Sequence, residues 1–260
     1  MEGQRQVALI ASGTEPSGQA IARELVRRNW VVVLGGAGSS ELQSAAERLA
    51  TAGPSEQIAT CPANLASAAD RERLVEFALD EFDRIDLLAC VPPSPPGAGE
   101  NLLELSEEGL RSALEAGLIG PLFLAQRVAN EMVRLIEAGA IEAAKIVLVN
   151  SIAAYASSTE HAAGCLAAAA SGMLTQLLAD ALSEHGVNVY EVRAGLISTG
   201  RGDEVHSRYD RQISEGLVPI RRWGRPQDVA LAVAAVAEDL LPYSTGEILN
   251  VDGGFHLRRL

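Results

Sequence analysis

Residues 151–165 bring four chemically capable side chains into one short stretch of the sequence. Ser151, Tyr155, His161 and Cys165 supply a hydroxyl, a phenol, an imidazole and a thiol. An imidazole titrates near neutral pH and can act as a general acid or base. A thiol becomes reactive when a cation lowers its pKa, and the sequence from 146 to 192 contains no Lys or Arg. We therefore expect Cys165 to be inert, and Ser151 with His161 or Tyr155 to be the group capable of proton transfer.

Seven short apolar runs alternate with helix-length segments and must position these side chains. The runs are rich in Val, Ile and Leu, as is typical of strands buried on both faces. They cover 6–11, 30–35, 57–61, 86–91, 145–151, 188–194 and 247–251. Between them, apolar residues recur at intervals of three and four, as in helices with one buried stripe. The alternation predicts right-handed βαβ units in a single α/β domain over residues 1–260, a doubly wound Rossmann-like fold with about seven parallel strands.

Composition excludes several classes of function. The formal net charge of −13 disfavours nucleic-acid binding, which needs clustered Lys and Arg. The 3 cysteines are widely spaced and form no metal-ligand motif, so neither a disulfide framework nor a metal site is expected. Neither a leader peptide nor an apolar run approaching about 20 residues is recognisable, which predicts a cytoplasmic protein that does not bind membranes.

Five stretches of the chain resemble the motifs of short-chain dehydrogenases/reductases. ALIASGTEPSGQAIARELVRR (8–28) resembles the phosphate turn of that family, and RIDLLACVPPS (84–94) its DILVNNAG segment. KIVLVNSIAAY (145–155) resembles its serine strand, and HGVNVYEVRAGLIST (185–199) its HGIxVNxVxPGxIxT segment. The stretch 221–254 matches the closing helix, strand and Asp-Gly-Gly of the family nearly position for position, most of all in its 3-oxoacyl-carrier-protein reductases.

The resemblance implies a fold, a cofactor and an assembly. Members of the family use NAD or NADP to move a hydride between a carbonyl and an alcohol. They usually form homotetramers, here expected through the helices at about 103–136 and 159–184 and the C-terminal DGGFHLRRL. Small residues on the second of these helices, in AAGCLAAAASG, suit close approach of a second copy.

The catalytic positions that the resemblance assigns are mostly changed. The family's proton-donating Tyr corresponds to Gly164, and the Lys four residues later corresponds to Ala168. The Asn that anchors a water chain corresponds to Gly117, whereas the Ser that orients the substrate is retained as Ser151. Neither Gly nor Ala can donate a proton from its side chain, so we expect hydride transfer to be lost.

The cofactor positions are changed as well. The three glycines of the phosphate turn correspond to Ser12, Pro16 and Gly18, and Gly13 is a substitute for the first. Pro16 offers no N–H to a phosphate. The remaining positions that the resemblance assigns to cofactor binding are Asn64 near the adenine, Cys90 in the floor of the cofactor site, and Ile197 and Thr199 at the nicotinamide.

The end of the second strand, 34–40, supplies neither a carboxylate for the ribose of NAD nor an arginine for the 2′-phosphate of NADP. We therefore expect weak or absent binding of either dinucleotide.

Three functions remain open from the sequence. The chain is a redox-inactive member that assembles with itself or with an active relative, or that binds a small-molecule ligand. Alternatively, it is a non-redox enzyme that uses Ser151 with His161 or Tyr155 in the cleft where active members of the family carry out catalysis. The third function is an active NAD(P)-dependent reductase whose catalytic groups have moved.

Overall fold

Seven parallel strands form the central sheet of the protein, which we describe from a computed structural model covering residues 5–93, 101–198 and 204–258. The strands are β1 (Val7–Ala11), β2 (Val31–Gly36), β3 (Ile58–Pro62), β4 (Leu87–Cys90), β5 (Ala144–Ser151), β6 (Val187–Ala194) and β7 (Glu247–Val251). Their order across the sheet is β3-β2-β1-β4-β5-β6-β7. All seven predicted strands are confirmed, and each boundary agrees to within one residue.

Helices cover both faces of this sheet. Within the described residues they are α1 (Pro16–Arg27), α2 (Ser39–Leu49), α3 (Ala68–Phe82), α4 (Glu107–Leu114), α5 (Gly120–Glu137), α6 (Ala162–Leu182), α7 (Glu204–Ser214) and α8 (Pro226–Ala237). A single turn of π-helix, Glu115–Ile119, joins α4 to α5. The predicted Rossmann-like class, a parallel sheet with helices on both faces, is confirmed.

The hydrophobic core consists of two layers separated by the sheet. Alternate residues of each strand point to opposite layers, so Leu9 of β1 faces one layer and Ile10 faces the other. Leu124 and Val128 of α5 cover the first layer, whereas α1 and α8 cover the second. Burial on both faces explains why the strands are continuous apolar runs in the sequence.

Helix α6 is the most apolar long helix in the described part of the chain. Together with its flanking turns, Thr159–His185, it has the length and hydropathy of a membrane span. The sequence analysis did not predict this. In the fold the helix packs against β5 and β6, with 44% of its apolar window buried, so its composition also suits a core helix. The location in the cytoplasm remains a prediction.

The sheet order locates the position where a ligand is expected. The chain leaves β1 toward β2 and β3, and then crosses back to place β4 on the other side of β1. In open α/β sheets, ligands bind at the carboxyl ends of the strands beside such a switch point. The turn after β1 and the ends of β4 and β5 therefore border the expected cleft.

Gly18→Ala is expected to lower the free energy of unfolding by about 1–3 kcal/mol. The reason is that a β-carbon on Gly18 would lie 2.6 Å from the backbone oxygen of Ser12. Gly164→Ala is the matched control, because a β-carbon there meets no atom within 4 Å. It should be neutral or stabilising by up to about 1 kcal/mol. Urea unfolding at one fixed protein concentration measures both, and equal effects of the two substitutions would contradict this packing.

Candidate functional site

The turn between β1 and α1, which by sequence resembles a phosphate turn, contains one left-handed residue and two tightly packed glycines. Ser12 has a φ of 59°, a left-handed conformation that favours glycine. Gly18 is buried directly beneath the backbone oxygen of Ser12, where no side chain fits. Gly13 packs against Leu34 with as little room. Pro16 is the first residue of α1 and removes one N–H from the end of the helix that would face a phosphate.

A cavity of about 580 Å³ opens beside this turn. Its wall includes Ser12 and Asn64, two of the predicted cofactor residues. Three acidic residues, Glu15, Glu41 and Glu115, also belong to the wall, and no Lys, Arg or His does so among the described residues. The cavity therefore has room for a nucleotide, but its charges repel phosphate groups.

Glu41 is a site residue that the sequence analysis missed. It lies in the first turn of α2 and folds back over Gly38, so that a β-carbon on Gly38 would collide with its carboxylate. Its own backbone N–H and the hydroxyl of Ser40 stabilise the charged form, which lowers the pKa of Glu41. Thus a carboxylate reaches the end of β2 from the following helix, although the strand end itself contains none. The signal in the sequence was an acidic residue in the first turn of that helix.

The other predicted cofactor residues are dispersed around the cleft. Asn64 lies in a turn, where its backbone N–H donates to Asp70 and its side-chain oxygen accepts from Ala66. Cys90 is buried at the end of β4, and burial raises the pKa of its thiol to about 12. Ile197 contributes to the wall of a second cavity. Thr199 lies outside the described residues.

This second cavity, of about 290 Å³, adjoins the first, since Glu15 and Pro93 belong to the walls of both. Ser151 lies in its wall, together with small residues of α4, the π-helical turn and α6. Those small residues are Ala113, Gly117, Gly164, Ala167 and Ala168. Apart from Ser151, the polar residues of the described wall are Glu15, Ser17 and Asn150. No phenol, imidazole or ammonium group belongs to that wall.

A buried polar network lies behind this cavity. Asn150 donates to the backbone oxygen of Ala168 at 2.9 Å and to Glu191 at 2.7 Å. Glu191 is completely buried and forms a two-bond ion pair with Arg193, with N–O distances of 2.8 and 3.1 Å. Glu191 and Arg193 were not singled out in the sequence, because a charged pair within an apolar strand has no motif. The network fixes α6 against β5 and β6.

Tyr155 belongs to a different cluster from Ser151. Its hydroxyl donates to Asp252 at 2.8 Å, and its ring lies under the guanidinium of Arg193. Burial, together with the hydrogen bond to the charged carboxylate, raises the pKa of Tyr155. Burial alone would raise the pKa of Asp252, but hydrogen bonds from His256, Tyr155 and two backbone N–H groups lower it overall. A phenol that donates to a carboxylate and is hard to ionise is a poor acid for a substrate oxygen.

His161 and Cys165 lie near the start of α6. His161 is exposed and precedes the first residue of the helix, and it is absent from the described walls of both cavities. Cys165 is half-buried, and its thiol lies 3.6 Å from the backbone oxygen of Ala156. The structure therefore brings neither Tyr155 nor His161 into the wall that holds Ser151.

Comparisons with known proteins identify relatives over the whole chain. A family model described as "Enoyl-(Acyl carrier protein) reductase" matches residues 16–256. The 3-oxoacyl-[acyl-carrier-protein] reductase of Synechocystis sp. is 29% identical over 250 residues, covering 96% of each chain. The L-rhamnose 1-dehydrogenase (NAD(P)(+)) of Azotobacter vinelandii is 31% identical over 263 residues, also covering 96% of each chain. A 3-oxoacyl-[acyl-carrier protein] reductase from Brucella melitensis, solved in complex with NAD, superposes with a TM-score of 0.90 at 30% identity over 100% of each chain.

Glu15→Gln is expected to strengthen NADH binding about two- to fivefold, because it removes one of three carboxylates from the larger cavity. Added salt should also strengthen binding of NADH to the wild type, since it screens repulsion. Fluorescence titration with NADH from about 0.01 M to 0.15 M salt measures both effects.

Glu56→Gln is the control, since it changes the net charge equally. Glu56 lies in the turn before β3, at the amino ends of the strands and therefore away from the cleft. Binding of NADH that weakens with salt, as at sites rich in Lys and Arg, would contradict the repulsive character of the cleft.

Proposed function

The chain belongs to the short-chain dehydrogenase/reductase family, and on this premise we propose that it keeps the family's fold and cleft but does not transfer hydride. The proposal rests on the types of residue that line the smaller cavity. Ser151 faces Gly117, Gly164 and Ala168 there. By the resemblance, these three positions hold the Asn, Tyr and Lys of active members. A glycine or alanine can neither protonate a carbonyl oxygen nor hold a ribose.

The charge of the cleft supports the same proposal. A dinucleotide carries two phosphate charges, and the larger cavity presents Glu15, Glu41 and Glu115 without a described cation. Weak or absent binding of either dinucleotide follows. Of the two, NADP is the more strongly disfavoured, because Glu41 repels its 2′-phosphate while a ribose hydroxyl can donate to a carboxylate.

The geometry favours this proposal over a non-redox enzyme that uses Ser151 with a base. Tyr155 is hydrogen-bonded to Asp252, and its raised pKa suits neither a base nor an acid at neutral pH. His161 is exposed at the start of α6 and absent from the described cavity wall. A reductase with relocated catalytic groups needs the same two residues, so it lacks support on the same ground.

We also propose self-assembly through α5 and α6 into a homotetramer. One face of α6 exposes Leu166, Met173 and Leu177, which are 51–61% exposed and spaced to form a single stripe. Phe123 on α5 is exposed as well. Stripes of large apolar residues on a monomer are typical of interfaces. An active relative of the family is the other partner that this face would accept.

Wild-type protein is expected to show no oxidation of NADH or NADPH with acetoacetyl-CoA above the uncatalysed rate. Losing the general acid alone costs about 10²–10⁴-fold in rate. Gly164→Tyr combined with Ala168→Lys should recover little activity, because Gly117 and the altered phosphate turn remain. Absorbance at 340 nm measures the reaction, with the Synechocystis relative as the positive control. Robust oxidation by the wild type would contradict the proposal.

Leu177→Lys is expected to reduce the wild-type assembly to smaller species, since it places a charge in the apolar stripe of α6. Gln43→Lys on α2 adds the same charge away from that stripe and should leave the assembly intact. Multi-angle light scattering measures the mass of each. A wild-type protein that is monomeric at micromolar concentration would contradict the proposed assembly.

A further inference from the structure

A third cavity lies outside the cleft, at the carboxyl ends of β6 and β7. It has a volume of about 300 Å³, and none of its described wall residues belongs to the wall of either cavity of the cleft. Three segments form it, namely the turn after β6, the segment 218–224 before α8, and the Asp-Gly-Gly turn after β7. We propose that this cavity binds a compact, neutral phenol whose hydroxyl donates a hydrogen bond to His256.

Backbone contacts join the three segments, so the cavity exists before a ligand binds. The N–H of Gly195 donates to the oxygen of Val251 at 3.0 Å, and the N–H of Ile220 donates to the oxygen of Gly253 at 3.0 Å. Gly253 has a φ of 65°, and a β-carbon there would lie 2.6 Å from the side chain of Val218. A preformed site avoids the cost of ordering loops when the ligand arrives.

One side of the wall is apolar and is formed by Leu196, Val218, Ile220 and Val251. Ile220 is 58% exposed, and an exposed apolar side chain beside a concave surface is typical of a binding site. An engineered apolar cavity of about 150 Å³ in another protein holds one benzene molecule. The volume of about 300 Å³ here has room for an aromatic ring with small substituents, whose burial would drive binding.

The other side of the wall presents one hydrogen-bond acceptor. The buried carboxylate of Asp252 lies 2.8 Å from Nδ1 of His256 and also accepts from the hydroxyl of Tyr155 and from the backbone N–H groups of Gly254 and His256. A carboxylate at Nδ1 keeps the proton on that nitrogen, so the neutral imidazole accepts through Nε2. Nε2 has no partner among the described residues. A hydroxyl on the ligand supplies the missing donor.

The charged groups of the wall are already matched, which favours a neutral ligand. Arg222 pairs with both carboxylate oxygens of Asp228, at N–O distances of 2.7 and 3.1 Å. The carboxylate of Asp252 is saturated by its donors and would repel an anion. A phenol suits this wall because it donates a hydrogen bond without bringing a charge. Its pKa of about 10 also makes it a stronger donor than an aliphatic alcohol.

p-Cresol and p-fluorotoluene test this assignment, because the second replaces the hydroxyl of the first by fluorine. Wild-type protein, in its native assembly and without dinucleotide, is expected to bind both in ligand-observed NMR and calorimetry. His256→Leu should weaken p-cresol about fivefold and leave p-fluorotoluene unchanged, as expected for one lost hydrogen bond. His185→Leu is the matched control, since it changes an exposed histidine before β6, at the other end of the sheet. It should bind both probes like the wild type.

Two substitutions in the apolar side of the wall locate the probes. Leu196→Trp should abolish binding of both by filling the cavity. Ile220→Ser should weaken both probes equally, since it removes apolar surface but no acceptor, and it should keep the fold because Ile220 is exposed. Leu240→Trp, at a residue that is 67% exposed and outside the described wall, should bind like the wild type.

Two results would overturn the assignment. One is no saturable binding of either probe to the wild type. The other is unchanged binding of p-cresol to Leu196→Trp and Ile220→Ser variants whose circular dichroism matches that of the wild type. Equal weakening of both probes by His256→Leu would overturn the role given to the imidazole.

Discussion

The completely buried carboxylate of Glu191 is the constraint on which the candidate site depends. A buried charge without partners costs several kcal/mol, so its surroundings must supply compensating donors. Arg193 and Asn150 do so, and Asn150 also binds the backbone oxygen of Ala168. A β-carbon on Gly172 would lie 3.0 Å from the Arg193 guanidinium. A residue without a side chain therefore suits the position where α6 passes the ion pair. The ion pair therefore determines how closely α6 can approach the sheet.

This approach of α6 produces the cavity. The hydrogen bond from Asn150 to the backbone oxygen of Ala168 holds α6 in place. The side of α6 that borders the cavity can therefore consist of small residues while the helix keeps its position. A β-carbon on Gly117 would lie 3.0 Å from that of Ala167, which shows that the π-helical turn packs tightly against α6 at that point. One turn earlier, at Gly164, the space is open. An ion pair within the core, and not a contact inside the cavity, thus holds this wall in position.

The sequence predicts the fold better than the site, for a physical reason. Strands buried on both faces must be apolar throughout, so β1 or β5 can be recognised without knowledge of the rest of the chain. The family resemblance assigns Gly164, Ala168 and Ser151 to one catalytic site, and all three line the same cavity. The position of Glu41 depends on how α2 begins, and the bond from Tyr155 to Asp252 joins residues 97 apart in sequence. Contacts of this kind follow from the completed fold and have no local pattern.

Backbone and side chains determine different properties of this cleft. The backbone superposes on an NAD-bound relative with a TM-score of 0.90, so the overall shape of the cleft follows from strand order and the turn after β1. Ser12 has a left-handed conformation although it is not a glycine, and its backbone oxygen lies where a β-carbon on Gly18 would collide with it. The side chains then decide which ligand enters that shape. Three acidic residues line one cavity and mostly apolar residues line the other, and none of these side chains is needed to form the strands. The shape of the cleft and the charge of its wall therefore depend on different parts of the chain, the first on the backbone and the second on the side chains.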